Sequence, residues 1–385
     1  MRRVIRRTVA VVACALALAS PSARAEDKGK LLIIGGGMTA AMAPEIYGKL
    51  ADLLPEKGVV GYLPTASEKA VKDDDALDNR LKNALKGRTL KLINLTQGNA
   101  AKADDPELAK QIESCDAVFF GGGAQSRIVK VFRPGGRETL ASKAIDAILA
   151  RGGVVAGTSA GAEIMSDPMI HMGESDKALA KPEGLPIGRG MGYFKYGMVD
   201  QHFLQRGRFG RLCVALERTN RNYGFGISEA RALLVDRSTG LMTTIGPDAV
   251  VFIDRSKADG RSNWRVSLLG NGDTIDGKTG VVTSKDRGGQ DGSIIDLPAY
   301  GPEVTDPWAK FAVSKLIHDM VRDIRGVGLL VDRTQTFRLF FDFDTCVRKS
   351  AKGDDICVVG LRMDIEPTPP DRFPTTHPTT AASRP

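Results

Sequence analysis

Residues 153–166 read GVVAGTSAGAEIMS, a run of small and β-branched residues that breaks at a serine. Gly157 and Gly161 stand two places either side of Ser159, giving the pattern G-x-S-x-G. In a nucleophile elbow the serine occupies a sharp strand-to-helix turn in strained backbone, where larger side chains two places away would collide. A plain Gly-rich turn between a strand and a helix has the same composition, so the motif needs support from the rest of the chain. Both readings predict a buried strand that ends at the serine and a helix that starts behind it.

Working outward, KLLIIGG, GVVGYLP, TLKLINL and DAVFFGG precede GVVAGTS as apolar runs of strand length. Between them PEIYGKLADLL, DDDALDNRLKNALKG, PELAKQIES and SKAIDAILARG carry helical spacing. Apolar runs without strict alternation suit parallel strands covered on both faces. The expected fold class is therefore α/β, a doubly wound, mostly parallel sheet with its site at the carboxyl ends of the strands. The first strand ends in GGGMTA, a loose dinucleotide fingerprint at Gly35, Gly37 and Ala40. The acidic residue that should follow about 20 positions on is missing, and Pro64, Thr65 and Ser67 stand there instead. A nicotinamide enzyme is the weaker reading.

Downstream, YGFGISEA, RALLVDR, AVVFIDR and WRVSLLG read as further strands, and Gly- and Asp-rich residues 270–293 as a long loop. DPWAKFAVSKLIHDMVRDI is an amphipathic helix, and VGLLVDR, TFRLFFDFDT and DICVVGLRMDI are strands, the last two a hairpin. These form a smaller C-terminal α+β extension over 271–365. The Pro/Thr-rich tail 366–385 is expected to be disordered.

The first 25 residues have the three parts of a secretory signal peptide: a basic start, the apolar stretch Thr8 to Leu18, and Ala23-Arg24-Ala25 before the cut. The apolar stretch is too short for a permanent anchor, and the arginine pairs leave a twin-arginine route open. The expected location is secreted or periplasmic. Removing residues 1–25 takes away five arginines and no acid, lowering the formal charge from +8 to +3. So mild a balance gives no reason to invoke nucleic acid or an anionic membrane as partner. Four cysteines remain without a C-x-x-C pair and histidines are few, so no metal site is expected. Cys346 and Cys357, flanking a polar stretch in an exported chain, are expected to form a disulfide, with Cys115 and Cys213 as buried thiols.

A catalytic serine needs a base and a group to orient that base. Of four histidines, His377 falls in the tail, His318 on the extension's helix, and His171 in a loose segment with no strand to hold it. His202 ends the run GMVDQHF, where a strand would carry it to the sheet edge, and is the expected base. Glu174, Asp176, Asp200 and Glu229 are candidates for the third group, and the residues alone do not rank them. Ala160 would offer one oxyanion N–H, and Gly122 or Gly123 in GGGAQ a second.

FFGGGAQ, GTSAGAEIMSDPMI, VDQHFLQRGRFGRL and GFGISEARALLV, in this order and spacing, resemble the cyanophycinase family, which also includes the aspartyl dipeptidase peptidase E. The resemblance runs from about Lys30 to about Gly270. It implies a class I glutamine amidotransferase-like fold with serine in place of that group's cysteine, and a peptidase domain over 28–270. It implies Ser159 as nucleophile and His202 as base, and it favours Glu174 as the orienting acid, with Asp176 second, over Asp200 and Glu229. Gly123 and Ala160 would hold the oxyanion. Gln125, Asp200, Gln201, Arg206, Arg208 and Arg211 would line the substrate site, Asp200 pairing a substrate guanidinium and the arginines its carboxylates. Of the arginines, Arg206 and Arg208 are the ones expected to face substrate.

The expected activity is hydrolysis of cyanophycin (multi-L-arginyl-poly-L-aspartate) to β-Asp-Arg dipeptides without a cofactor, by an exported serine exopeptidase. The alternatives are an aspartyl dipeptidase acting on Asp-Xaa peptides and a non-catalytic binding protein on the same scaffold. A homodimer is compatible with the resemblance. Two departures from the family pattern, Ala124 and Glu163, put substrate choice in question more than reaction class.

Overall fold

Val154–Thr158, the strand that runs into Ser159, lies inside a nine-stranded sheet in the computed structural model of the chain. The structure describes residues 28–67, 77–285, 291–293, 302–322, 327–342, 344–349, 356–369 and 372. The proposed leader 1–25, His377 and most of the tail lie outside the described residues.

All five N-terminal strands form where the apolar runs predict them: β1 (Lys30–Ile34), β2 (Val59–Leu63), β3 (Thr89–Leu92), β4 (Ala117–Phe120) and β5 (Val154–Thr158). Across the sheet they run β3-β2-β4-β5-β1, every pair parallel. The strand Ala232–Asp236 then closes antiparallel on β1, followed by Leu241–Ile245 and Thr274–Asp276. Alternation along β1 shows why its run is apolar throughout. Leu31 and Ile33 join a core with Ile145 and Ile148 of the helix Leu140–Ala150, while Leu32 and Ile34 join another with Ile46 and Leu50 of the helix Ala43–Asp52. Side chains of period two thus bury both faces.

A second sheet begins at Met198–Gln201, which pairs in parallel with Tyr223–Ile227. It continues antiparallel through Val250–Asp254, Trp264–Leu269, Ile356–Pro367, Gln335–Phe340 and Val327–Val331. The helices Phe209–Thr219 and Ala312–Arg322 contribute Leu212, Leu216, Leu316 and Ile317 to the core of this sheet. Among the described residues no helix is long and apolar enough to cross a membrane.

Several expectations change here. Residues 270–293 are not simply a loop, because Thr274–Asp276 and Val282–Thr283 form a hairpin that extends the first sheet. The boundary near 270 does not coincide with a break in the second sheet, since Ile356–Pro367 pairs along Trp264–Leu269. That strand also carries the chain past residue 365, and Thr368 is buried with its hydroxyl donating to the Asp332 carbonyl at 2.7 Å. The first residues of the tail are therefore structured.

The cysteine pairing is corrected too: Cys346 and Cys357 form no disulfide. Their strands pair as expected, but Cys346 lies opposite Val359 and Cys357 opposite Arg348. The two thiols are diagonal neighbours, whose Cα atoms sit about 7–8 Å apart, beyond the reach of an unstrained disulfide.

Candidate active site

Ser159 adopts φ 53° and ψ −114°, a positive-φ conformation in which a non-glycine residue is strained. Its N–H is anchored to the Ile34 carbonyl at 3.1 Å, and the short helix Ala160–Glu163 begins behind it. The flanking glycines are required by contact. A Cβ on Gly157 would come within 2.2 Å of the Gly161 carbonyl oxygen, and one on Gly161 within 2.4 Å of that of Phe120. The elbow reading of G-x-S-x-G therefore holds at the level of backbone geometry.

Ser159 Oγ lies 2.9 Å from His202 Nε2. His202 follows the strand Met198–Gln201, also at positive φ (50°), with its N–H donating to the Gly35 carbonyl at 2.8 Å. On the far side of the ring, His202 Nδ1 lies 2.6 Å from Glu229 Oε1. Glu229 stands on the turn after Tyr223–Ile227, with its own N–H donating to Gln205 Oε1 at 2.8 Å.

Glu174, favoured by the family resemblance, is not at this position. It is the exposed residue before the helix Ser175–Ala180, and Asp176 lies in that helix's first turn. Among the described residues neither carboxylate meets the imidazole, whose Nδ1 faces Glu229 instead, so the geometry departs from the expectation of Glu174 or Asp176.

The GGG loop after β1, weighed above as a fragment of a nucleotide fingerprint, has another use. A Cβ on Gly36 would sit 2.4 Å from the His202 ring, and one on Gly37 would sit 2.6 Å from the Glu229 carboxyl carbon. Side-chain-free backbone is what lets β1's loop press against the histidine–glutamate pair. The sequence flagged these glycines but could not say what they touch.

Burial lowers the His202 pKa below its ordinary 6.5, against the opposing pull of Glu229, and the nearby charge of Arg206 adds to the lowering. A depressed value keeps the imidazole neutral, and so able to accept a proton, further into the acidic range. The acidic limb of kcat/KM should therefore lie below pH 6.5. Arg206→Ala removes a cation that disfavours imidazolium, so it should move that limb upward. A pH–rate profile of the variant that coincides with wild type would mean solvent screens Arg206.

The N–H groups of Gly122, Gly123 and Ala160 have no backbone acceptor among the described residues. A Cβ on Gly122 would lie 3.4 Å from Ser159 Cβ, so this loop backs directly onto the serine. Gln201 is buried, with its side-chain oxygen 3.5 Å from Ser159 Oγ. The Gln125 amide donates to the carbonyls of Ile170 (3.1 Å) and His171 (2.7 Å).

The charged residues expected to meet substrate divide sharply. Arg206 is exposed. Asp200 is fully buried and held by Arg211 through two contacts, Nε to Oδ2 at 2.7 Å and Nη2 to Oδ1 at 2.5 Å, with Arg208 Nη1 at 3.2 Å. Arg211 also donates to the Gly173 carbonyl at 2.6 Å and its side chain is 1% exposed. Asp200 and Arg211 therefore face each other, and the expectation that Asp200 meets a substrate guanidinium is corrected. Beside them Glu163 is fully buried, both carboxyl oxygens lack a hydrogen-bond partner among the described residues, and burial with the Asp200 charge raises its pKa to about 8. Burial thus favours its neutral, protonated form.

Breaking a buried pair leaves an uncompensated charge. Arg211→Ala should then cost about 3–5 kcal/mol of stability, read as a lower denaturation midpoint. An unchanged midpoint would contradict the burial described here.

Residues 31–242 match the profile of Peptidase family S51. The cyanophycinase of Geminocystis herdmanii is 24% identical over 266 residues, covering 66% of this chain and 95% of the relative. That of Synechococcus elongatus is 24% identical over 275 residues, covering 67% and 82%. That of Trichormus variabilis is 27% identical over 234 residues, covering 59% and 74%. Among solved structures, a peptidase from an acI-B1 Actinobacterium superposes with a TM-score of 0.50 at 17% identity, over 66% of this chain and 98% of the other, a likeness of fold. The profile runs through more than half of the chain and takes in Ser159, His202 and Glu229 alike, so the protein belongs to peptidase family S51 and is a serine peptidase.

Proposed function

We propose that the chain is an exported exopeptidase of cyanophycinase type, with Ser159 as nucleophile, His202 as base and Glu229 as the residue that orients His202. The observation that carries this reading is the line of contacts Ser159 Oγ–His202 Nε2–His202 Nδ1–Glu229 Oε1, at 2.9 and 2.6 Å. Ser159 Oγ bonds to the scissile carbonyl carbon while His202 Nε2 takes the hydroxyl proton. Glu229 accepts a hydrogen bond from the Nδ1–H tautomer and stabilises the imidazolium that forms. The oxyanion meets the N–H of Ala160 and of Gly122 or Gly123. Collapse breaks the C–N bond, and the leaving amine takes the proton from His202. Water then attacks the acyl-enzyme with His202 as base again, releasing the acid and regenerating the serine.

The parallel order of β1–β5 and the elbow at the end of β5 support a class I amidotransferase-like arrangement for residues 28–270, to which 271–365 add strands in both sheets and a helix. The leader-like first 25 residues support export. Similarity to cyanophycinases supports a β-linked Asp-Arg polymer as substrate.

One observation favours the second reading, an aspartyl dipeptidase. With Asp200 enclosed by Arg208 and Arg211, it is not available to a substrate guanidinium, whereas the exposed Arg206 remains suited to a carboxylate. Turnover of purified cyanophycin against Asp-Xaa dipeptides, with products identified by mass, separates the two. Release of β-Asp-Arg supports the first reading. Cleavage confined to the dipeptides selects the second.

A further inference from the structure

A cleft of about 520 Å³ opens between the turn that carries Glu229 and the extension's helix Ala312–Arg322. One wall is Gln205, Ser228 and Arg231 from the family-matched part of the chain, and the other includes Lys315 and His318 from the extension. The helix is tied down beside it by the Phe311 N–H donating to the Leu204 carbonyl at 2.7 Å and by His318 Nε2 against Asp248 Oδ1 at 3.2 Å.

The polar groups of the cleft are unevenly satisfied. Its two acids are paired, Asp248 with His318 and Asp319 with Arg322 at 2.8 Å. What remains are donors. Ser228 is 2% exposed and its hydroxyl, shut off from bulk water, has no hydrogen-bond partner among the described residues. Gln205 uses its oxygen on the Glu229 N–H, which leaves its amide NH2. Arg231 uses Nε and Nη1 on the Pro247 and Ala230 carbonyls, which leaves Nη2. Lys315 is exposed and makes no ion pair among the described residues. A buried hydroxyl without a partner is costly, and a site lined with surplus donors and cations calls for an acceptor of negative charge.

We propose that this cleft is a second binding site, distinct from the Ser159 centre, that takes a carboxylate side chain of an acidic peptide. The carboxylate would accept from Ser228 and Gln205 on one wall and pair with Lys315 and Arg231 across the opening. Half of the site belongs to the extension, which gives residues 271–365 a role in holding acidic peptide near the peptidase. Because Gln205 also holds the Glu229 turn, an occupied cleft braces the turn that carries the residue orienting His202.

The test uses the full chain with Ser159 capped by a fluorophosphonate, so that only binding outside the catalytic centre is read. The proposal rests on the nucleophile reading for this step alone, and the mass of the capped protein reports that reading separately. The probe is the N-acetylated, C-terminally amidated hexapeptide Asp-Gly-Asp-Gly-Asp-Gly, followed by calorimetry, with the equally capped Asn-for-Asp peptide as the neutral control. Lys315→Glu is expected to weaken binding of the acidic probe about tenfold, the equivalent of 1.4 kcal/mol. Lys110→Glu, the same charge change on a remote helix, should leave it within about twofold, as expected for an exposed surface charge. Equal binding of the acidic and neutral peptides would overturn the proposal. Equal weakening by Lys315→Glu and Lys110→Glu would overturn it as well.

Discussion

Ser159→Ala is expected to lower turnover by a factor on the order of 10⁵–10⁶, since members of such a constellation act as a unit. The cause is specific. Without Oγ there is no atom 2.9 Å from His202 Nε2 to attack a carbonyl, while the elbow's backbone, held by the Ile34 carbonyl and the flanking glycines, needs no side chain at 159. His202→Ala should cost about as much, and the double variant little more than either alone. Thermal denaturation should separate lost chemistry from lost fold, because the Ser159 hydroxyl bonds only within the site. His202→Ala retaining most of the activity would remove His202 as base.

The second large effect concerns the acid. Glu229→Gln is expected to lower kcat by a factor on the order of 10³–10⁴, because an amide can hold His202 in the wrong tautomer and no longer balances the imidazolium. Glu174→Gln and Asp176→Asn should change kcat by less than about twofold, as solvated carboxylates away from the ring do. A severe Glu174→Gln with a harmless Glu229→Gln would return the role to the residue the family resemblance favours. Measuring all three in parallel makes the comparison independent of how well any one variant expresses.

Much of the framework was legible because it rests on local pattern. Five apolar runs became five parallel strands, and the glycines around Ser159 announced a turn that larger side chains could not make. His202 was reachable by elimination among four histidines. Glu229 was visible as a candidate but not separable from three others, since its role depends on which strands are neighbours. The signal lay in the pairing of Gln201 with Ile227: once those parallel strands are aligned, the residues just beyond each end meet, and His202 faces Glu229.

The arginines were misjudged for a related reason. R-x-R-x-x-R reads as a solvated or substrate-facing stripe, yet tertiary packing turns Arg208 and Arg211 inward onto Asp200 and leaves Arg206 outside. Hydrogen-bond register, not residue type, likewise decided that Cys346 and Cys357 stay apart. The extension's contribution was the least legible, because Ile356–Pro367 finds its place against a strand about 90 residues earlier.

Everything proposed for the site depends on Ser159 being an activated nucleophile in this fold. Reacting the folded chain with a fluorophosphonate and mapping the adduct by mass spectrometry tests it most directly. One adduct per chain, on Ser159, lost in Ser159→Ala and strongly slowed in His202→Ala, is the predicted result. An active protein that takes no label, or a label on another residue that survives Ser159→Ala, would contradict it.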